Sequence, residues 1–327
     1  MTWRDALPRV RIPEDSDLPL ASLAAHLASA GERVAALGAY RELILASPDD
    51  LAAHEGLGAV LDRLGRADEG LAVRKRIAVL VVARMGLAPA DARAALAFEL
   101  ALTGLGPAPA EMPAAYGAAL FDAHADVFDA RLRNDLRYRA PELLLAALLR
   151  ALADDGGGPH PPTLDICDIG CGTGLFAPLL RPLARRLDGV DRSAGMLERA
   201  FALHLYDDLA HADLTPALAG RPAAYDVVTA ADVLLYLGDL APAFAAAATA
   251  LRPGGYLAFT VEQTDEAGHP LRETGRYQHG EAYVREVAAG GGFEEVSADA
   301  VVLRVEQGQP VAGVVWVLRR RGERVAA

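Results

Sequence analysis

Leu164-Asp165-Ile166-Cys167-Asp168-Ile169 is an apolar run of strand length that leads without a break into Gly170-Cys171-Gly172-Thr173-Gly174. Alternating glycines permit a tight turn from strand to helix, and they let a ligand lie directly on the backbone where side chains would collide with it. The following Leu175, Phe176, Leu179, Leu180 and Leu183 predict a helix, with Pro178 tolerated in its first turn and Pro182 expected to weaken or kink it. Twenty-one residues after Gly170 the next predicted strand ends in Asp191, where a carboxylate can accept two hydrogen bonds from the ribose of an adenosine-bearing ligand. A dinucleotide fingerprint would place its third glycine at position 175, which is Leu175, so a bound pyrophosphate is disfavoured.

Around this bend, short β-rich runs alternate with helical segments. Strands are predicted near 164–169, 187–191, 226–231, 256–262, 293–298 and 311–318. Such alternation predicts an α/β fold with a mostly parallel, Rossmann-like sheet covered on both faces, and it places ligands outside the carboxyl ends of the strands.

The segment Asp168 to Gly174, with the acidic strand end that follows it, resembles the class I S-adenosylmethionine-dependent methyltransferases. Later pieces fall in register with that family. They are His211-Ala212-Asp213-Leu214, the run Tyr225 to Tyr236 containing Asp232 and Val233, and the turn Leu251-Arg252-Pro253-Gly254-Gly255-Tyr256. The resemblance covers residues 160 to 327 and implies S-adenosyl-L-methionine as cofactor. It puts Asp168 near the methionine amino group, the glycines beneath methionine and ribose, Asp191 on the ribose, Asp213 at the adenine amino group and Asp232 beside the transferred methyl. The cofactor contacts it implies are Asp168, Gly170, Cys171, Gly172, Gly174, Asp191, Arg192, Met196, Asp213, Leu214, Asp232 and Val233. Phe121-Asp122-Ala123-His124-Ala125-Asp126-Val127-Phe128-Asp129 is similar to the Tyr-Asp pattern of a lid helix in the same family, although Phe121 lacks the hydroxyl.

Methyl transfer from a sulfonium needs an aligned nucleophile in a site that excludes water, and a protonated O or N nucleophile also needs a base. Asp232 is placed for that by position, its ordinary alternative being a helix N-cap. The segment 276–283 is dense in aromatic and titratable groups and contains His279, the expected base, whose bland reading is an exposed loop histidine capping the helix that begins near Glu281. No metal-type spacing of His and Cys is present. Asp232-Val233-Leu234-Leu235 lacks the polar-Pro-Pro-aromatic grip of adenine amino methylation, and neither cysteine follows a proline as a cytosine C5 nucleophile would. With 32 Lys and Arg against 44 Asp and Glu, a net charge of −12 further argues against a nucleic-acid or anionic-membrane partner. Arg319, Arg320 and Arg321, the one dense basic run, read as a solvated strand end. A small molecule or a protein side chain is the expected acceptor.

Residues 17 to 84 are helix-forming and repeat at 34 residues: Leu23, Ala24, Leu27, Gly31 and Ala36 are echoed by Leu57, Gly58, Leu61, Gly65 and Gly70. Ala24 and Gly58 are expected to admit the second helix of each pair, and Gly31 and Gly65 to cap the first in a left-handed conformation. The pattern resembles tetratricopeptide repeats, which implies a protein-binding groove, with Arg74 departing from the aromatic expected there; a helical extension that simply covers the next domain is the equal alternative. Gly104 to Pro113 reads as a linker and 154–162 as a second breaker. The expected domains are therefore a repeat domain at 1–110, a helical lid or bridge at 111–158 and a methyltransferase domain at 159–327. No secretory signal, no run of about 20 apolar residues and only Cys167 and Cys171 predict a cytoplasmic chain. A repeat-based binding module with a catalytically idle cofactor domain is the rival reading, and a nicotinamide-dependent oxidoreductase is a distant third.

Overall fold

The computed structural model describes residues 19–125, 129, 136–154 and 163–322. The chain divides into two compact units, Met1–Pro107 and Ala108–Ala327. Much of the expected breaker at 154–162, and Phe128 of the expected lid helix, lie outside the described residues.

The first unit is helical: α1 (Leu20–Ser29), α2 (Arg33–Ala46), α3 (Leu51–Arg63), α4 (Ala67–Arg84) and α5 (Pro89–Leu102). Its core includes Ala24, Leu27, Ala36, Tyr40, Leu57, Val60 and Leu61. Gly31 and Gly65 follow α1 and α3 at φ +84° and +70°, a conformation that favours glycine. The tightest approach is not at Gly58, where a Cβ would make ordinary contact with Val73 at 3.5 Å. It is at Gly56, where a Cβ would stand 2.3 Å from the Tyr40 ring. Arg74, where the repeat pattern lacks its aromatic, pairs instead with Asp62 at 2.8 Å.

The second unit begins with α6 (Ala114–His124) and α7 (Ala140–Asp154). It continues through β1 (Leu164–Ile169), α8 (Ala177–Leu180), β2 (Ala184–Asp191), α9 (Ala194–Ala202), β3 (Asp208–His211), α10 (Leu214–Ala219) and β4 (Tyr225–Ala230). It closes with α11 (Ala241–Ala250), β5 (Leu251–Gln263), β6 (Gln278–His279), α12 (Glu281–Gly290), β7 (Phe293–Glu306) and β8 (Gln309–Arg320). The sheet order is β3-β2-β1-β4-β5-β8-β7, with β6 pairing beside β5. Pairing is parallel from β3 to β5, whereas β8 runs antiparallel to β5 and to β7. Strand order reverses at β1, between β2 and β4, which is where ligands of such sheets bind.

Alternation along the strands builds two cores. Ile166, Leu187, Val227 and Ala258 pack with Leu144 and Leu148 of α7 and Leu180 of α8. Cys167, Val190, Val228 and Phe259 pack on the other face with Leu218 of α10, Phe244 of α11 and Val284 of α12. Burying each such side chain contributes about 1.5–3 kcal/mol, which is what holds both helical layers to the sheet.

Four features depart from the sequence expectation. The helix after the bend is a single turn, α8, because Pro182 cannot continue it and the chain turns at once into β2. The short strands β3 and β6 carry too few residues to show a period in sequence. The end of the expected linker is docked: Met112 N–H donates to Tyr236 O at 2.9 Å, and Gly238 N–H to Ala110 O at 2.8 Å. Finally, Arg319 and Arg320 are not merely solvated, since their guanidinium groups bond to the carbonyls of Gly254 and Leu251.

Candidate functional site

The bend lies at the carboxyl end of β1, and its three glycines do different work. Gly170 has φ +61°, and a Cβ there would reach 2.4 Å from Val233; Gly174 has φ +86°, with Leu203 at 2.7 Å. Both are packing glycines. Gly172 also has a positive φ, +55°, but a Cβ on it would meet nothing within 4 Å. The side of the bend that a ligand would occupy is therefore marked by Gly172.

Asp191, at the end of β2, reaches that same point. Its Oδ2 accepts the Gly172 N–H at 2.9 Å and its Oδ1 accepts the Ser193 N–H at 2.8 Å. Each oxygen keeps acceptor capacity for a further donor. Burial pushes the Asp191 carboxyl up from its ordinary value, and these two backbone N–H groups oppose the shift. Asp168 is buried behind the bend, accepting the Tyr206 hydroxyl and the Thr229 hydroxyl, each at 2.8 Å. Burial raises it to about 6, with those hydroxyls holding it down and Asp191 adding repulsion. A cation bound beside it would relieve that cost.

Ser193 caps α9 by accepting the Met196 N–H at 3.1 Å. It also donates to Asp122 of α6 at 2.5 Å, and Asp122 accepts the Gly195 N–H at 3.0 Å. Asp129 similarly takes the hydroxyl of buried Thr173 at 2.5 Å. The Phe121 ring meets Tyr236 edge-on, with centroids 5.3 Å apart. The segment expected as a lid is thus fastened by two carboxylates, Asp129 to the bend and Asp122 to the start of α9, and the missing Phe121 hydroxyl is replaced by ring packing. Arg192 pairs with Asp213 at 3.1 Å, which brings the expected adenine-side carboxylate within reach of the Asp191 strand end. Cys171, Met196 and Leu214 are buried, and burial drives the Cys171 thiol well above its usual range.

Asp232 follows β4 and is not an N-cap. It sits at φ +55°, and its backbone N–H and its Oδ1 both bond to the Thr260 hydroxyl, at 2.8 and 2.9 Å. Its Oδ2 takes Arg304 at 2.8 Å. Around this ion pair stand Glu262, Glu306 and Arg276, all at the carboxyl end of β5 or beside it.

His279 stands apart. It is fully buried rather than exposed, its Nε2 lies 2.9 Å from Leu237 O, and burial lowers its pKa to about 4. Neither the loop position nor the near-neutral pKa expected of a base is found there, and it does not cap α12, whose first turn has Gly280 as N-cap without a side-chain bond.

The sequence reading also missed Tyr206, Thr229, Thr260, Glu262, Arg304 and Glu306. Thr229 and Glu262 were visible only as polar residues inside predicted buried strands, a signal that calls for a partner. Among the described residues no group of three or more His, Cys, Asp or Glu is arranged to hold a metal ion, and no helix is long and apolar enough to cross a membrane. The residues do fit S-adenosylmethionine: an open glycine backbone, a carboxylate with spare acceptors at its rim, and a buried carboxylate whose raised pKa a cation would lower.

A family model described as a methyltransferase domain matches residues 135–288. Methyltransferase-like protein 27 of Homo sapiens is 49% identical over 75 residues, covering 23% of this chain and 29% of that protein. A ubiquinone biosynthesis O-methyltransferase of Burkholderia thailandensis is 35% identical over 107 residues, covering 31% of this chain and 46% of that protein. The chain thus spans less than half the length of these relatives. Among solved structures, the fold is shared with the 1,6-didemethyltoxoflavin-N1-methyltransferase of Burkholderia thailandensis, bound to 1,6-didemethyltoxoflavin and S-adenosylhomocysteine. That likeness has a TM-score of 0.51 and 18% identity, over 66% of this chain and 93% of that one. The [4+2]-cyclase SpnF shares it at a TM-score of 0.52 and 17% identity, over 65% and 98%. The family match falls on the segment that holds the bend and most of the carboxylates around it, so residues 135–288 match a methyltransferase domain on the Rossmann-like fold shared with these solved structures.

Proposed function

We propose that the protein transfers the methyl group of S-adenosylmethionine to an oxygen or nitrogen of a small-molecule acceptor held over the carboxyl ends of β4 and β5. One observation carries the reading. The hydrogen bond from Gly172 to Asp191 joins the open backbone of the bend to the carboxylate best placed for a ribose. Asp191 accepts the ribose hydroxyls, Asp168 balances the ammonium group, and Asp213 receives the adenine amino group. When bound, the cofactor supplies an electrophilic methyl group on sulfur. Phe121 and Tyr236 exclude water from the reacting atoms, and Asp232 faces the acceptor. The name of one relative, a ubiquinone biosynthesis O-methyltransferase, supports an acceptor of that kind.

The nicotinamide alternative lacks a physical basis, because a pyrophosphate needs the N-terminus of a helix behind the bend and α8 is one turn long. The helical unit, with its 34-residue echo, is the part we assign to a protein partner, and the two buried free cysteines suit a reducing cytoplasm.

Calorimetric titration with S-adenosylhomocysteine tests the cofactor assignment. Binding in the micromolar range, about −8 kcal/mol, is expected, with a loss of about tenfold or more in Asp191→Ala, since a hydrogen bond to a charged group contributes roughly 1.5–3 kcal/mol. Unchanged affinity in that variant removes the ribose assignment. Incubation with methyl-labelled cofactor and cell extract separates the enzyme from an idle domain: tight binding without any labelled product favours the latter.

A further inference from the structure

The most heavily charged cluster near the site is one that the cofactor does not account for. Arg304, on β7, is 3% exposed, and its three nitrogens each meet a different carboxylate: Nη1 meets Asp232 at 2.8 Å, Nε meets Glu306 at 2.8 Å, and Nη2 meets Glu262. Arg276 braces the cluster, 2.6 Å from Glu306 and 3.6 Å from Glu262. Such a hub is a poor device for stability, because desolvating these ions offsets most of their attraction.

The backbone is bent to make the hub. The β7–β8 register slips between Val302 and Arg304, so the neighbouring residues Leu303 and Arg304 are both buried. Bulges of this type re-aim side chains beside active sites. At the other end of the ion pair, Asp232 is a non-glycine residue at φ +55°, a conformation that must be held by its surroundings. Thr260 and Arg304 do the holding, one on each carboxylate oxygen. Each oxygen keeps a free lone pair, and the side chain is 14% exposed, which leaves room for one donor from outside.

We propose that Arg304 is a positioning residue which, acting through Asp232, fixes that carboxylate as an anion ready to take the proton of the methyl acceptor. This rests on the methyltransferase reading above. In the step, the acceptor's O–H or N–H bond breaks and its proton passes to Asp232. The electron pair left on O or N forms the bond to the methyl carbon, while the sulfonium C–S bond opens and sulfur keeps that pair. Burial alone would push Asp232 toward its neutral form, and Arg304 is the main opposing charge, with Thr260 and Arg276 acting in the same sense.

Carbon-detected titration of the Asp232 carboxyl in the whole protein tests this without any acceptor, the signal being assigned by its absence in Asp232→Asn. In Arg304→Met the titration midpoint is expected to rise by about one pH unit or more, with Arg304→Lys restoring part of the shift. A folded Arg304→Met protein with an unmoved midpoint overturns the proposal. If Arg304→Met does not fold, Arg304→Lys decides: a raised midpoint supports the proposal, and an unmoved one refutes it. A titration of the wild-type protein with S-adenosylhomocysteine is run alongside. Absent binding there removes the methyltransferase reading itself, whereas binding with an unmoved Asp232 removes only the role of Arg304.

Discussion

Gly170 and Gly172 are two residues apart, both at positive φ, and the sequence makes no distinction between them. The space around them does. Alanine at 170 meets both a strained backbone and the Val233 methyls at 2.4 Å, which predicts a loss of about 2–4 kcal/mol in urea unfolding. Alanine at 172 meets only the backbone cost, about 1–2 kcal/mol, yet projects into the space a cofactor needs. Gly172→Ala is therefore expected to abolish calorimetric binding of S-adenosylhomocysteine while keeping most of its stability, and Gly170→Ala to lose mainly stability. Equal binding loss and equal destabilisation in both would undo the division between packing and ligand-facing glycines. The bend itself was legible, because alternating glycines beside an acidic strand end have a direct conformational meaning. Arg304 was not, since its partners at 232, 262 and 306 meet only when β4, β5 and β7 are assembled and a bulge turns the side chain inward.

At the scale of elements, long strands with apolar runs were legible and short ones were not. β1 and β4 begin and end within a residue of expectation, while β3 and β6 are too brief to carry a period. Local punctuation was readable but underweighted: the helix stops at Leu180, before Pro182, where weakening or a kink was expected. The antiparallel β7–β8 hairpin completes the sheet and brings Leu303 and Val305 against the backbone of Arg139 and Leu136, which anchors the segment carrying Tyr138. Ser193 joins two elements at once, capping α9 and holding Asp122 of α6. Ser193→Ala is expected to cost about 1–2 kcal/mol in urea unfolding from the lost cap. It should also speed hydrogen exchange at Gly195, whose N–H then rests on an Asp122 carboxylate with one restraint fewer. Unchanged exchange at Gly195 would mean that α6 is held there by other contacts.

For the molecule as a whole, two units with separate cores mean that the chemistry of Ala108–Ala327 can be reasoned about from its own residues. Its response to acid includes two buried groups that pull in opposite directions. His279 has a folded pKa of about 4, below the value of 6.5 of a free histidine, so its contribution is complete above 6.5 and is lost as pH falls toward 4. Asp168 has a folded pKa of about 6, above its ordinary 3.8, so its contribution is complete below 3.8 and is lost as pH rises through 6. At 1.36 kcal/mol per unit, each amounts to roughly 3 kcal/mol at full burial, and the two windows nearly coincide. These two contributions oppose each other between pH 4 and 6.5, so removing either one is expected to tilt the stability profile in the opposite sense to removing the other. Urea unfolding across that range in Asp168→Asn should show stability falling with acid more steeply than in the wild type. In His279→Gln it should fall less steeply or rise. Parallel curves for both variants and the wild type would mean that neither group is held away from its unfolded pKa. Saturating S-adenosylhomocysteine adds a second check: its ammonium should draw the Asp168 carboxyl down from 6, so affinity is expected to weaken as pH drops below the free-protein value while Asp168→Asn binds with no such dependence.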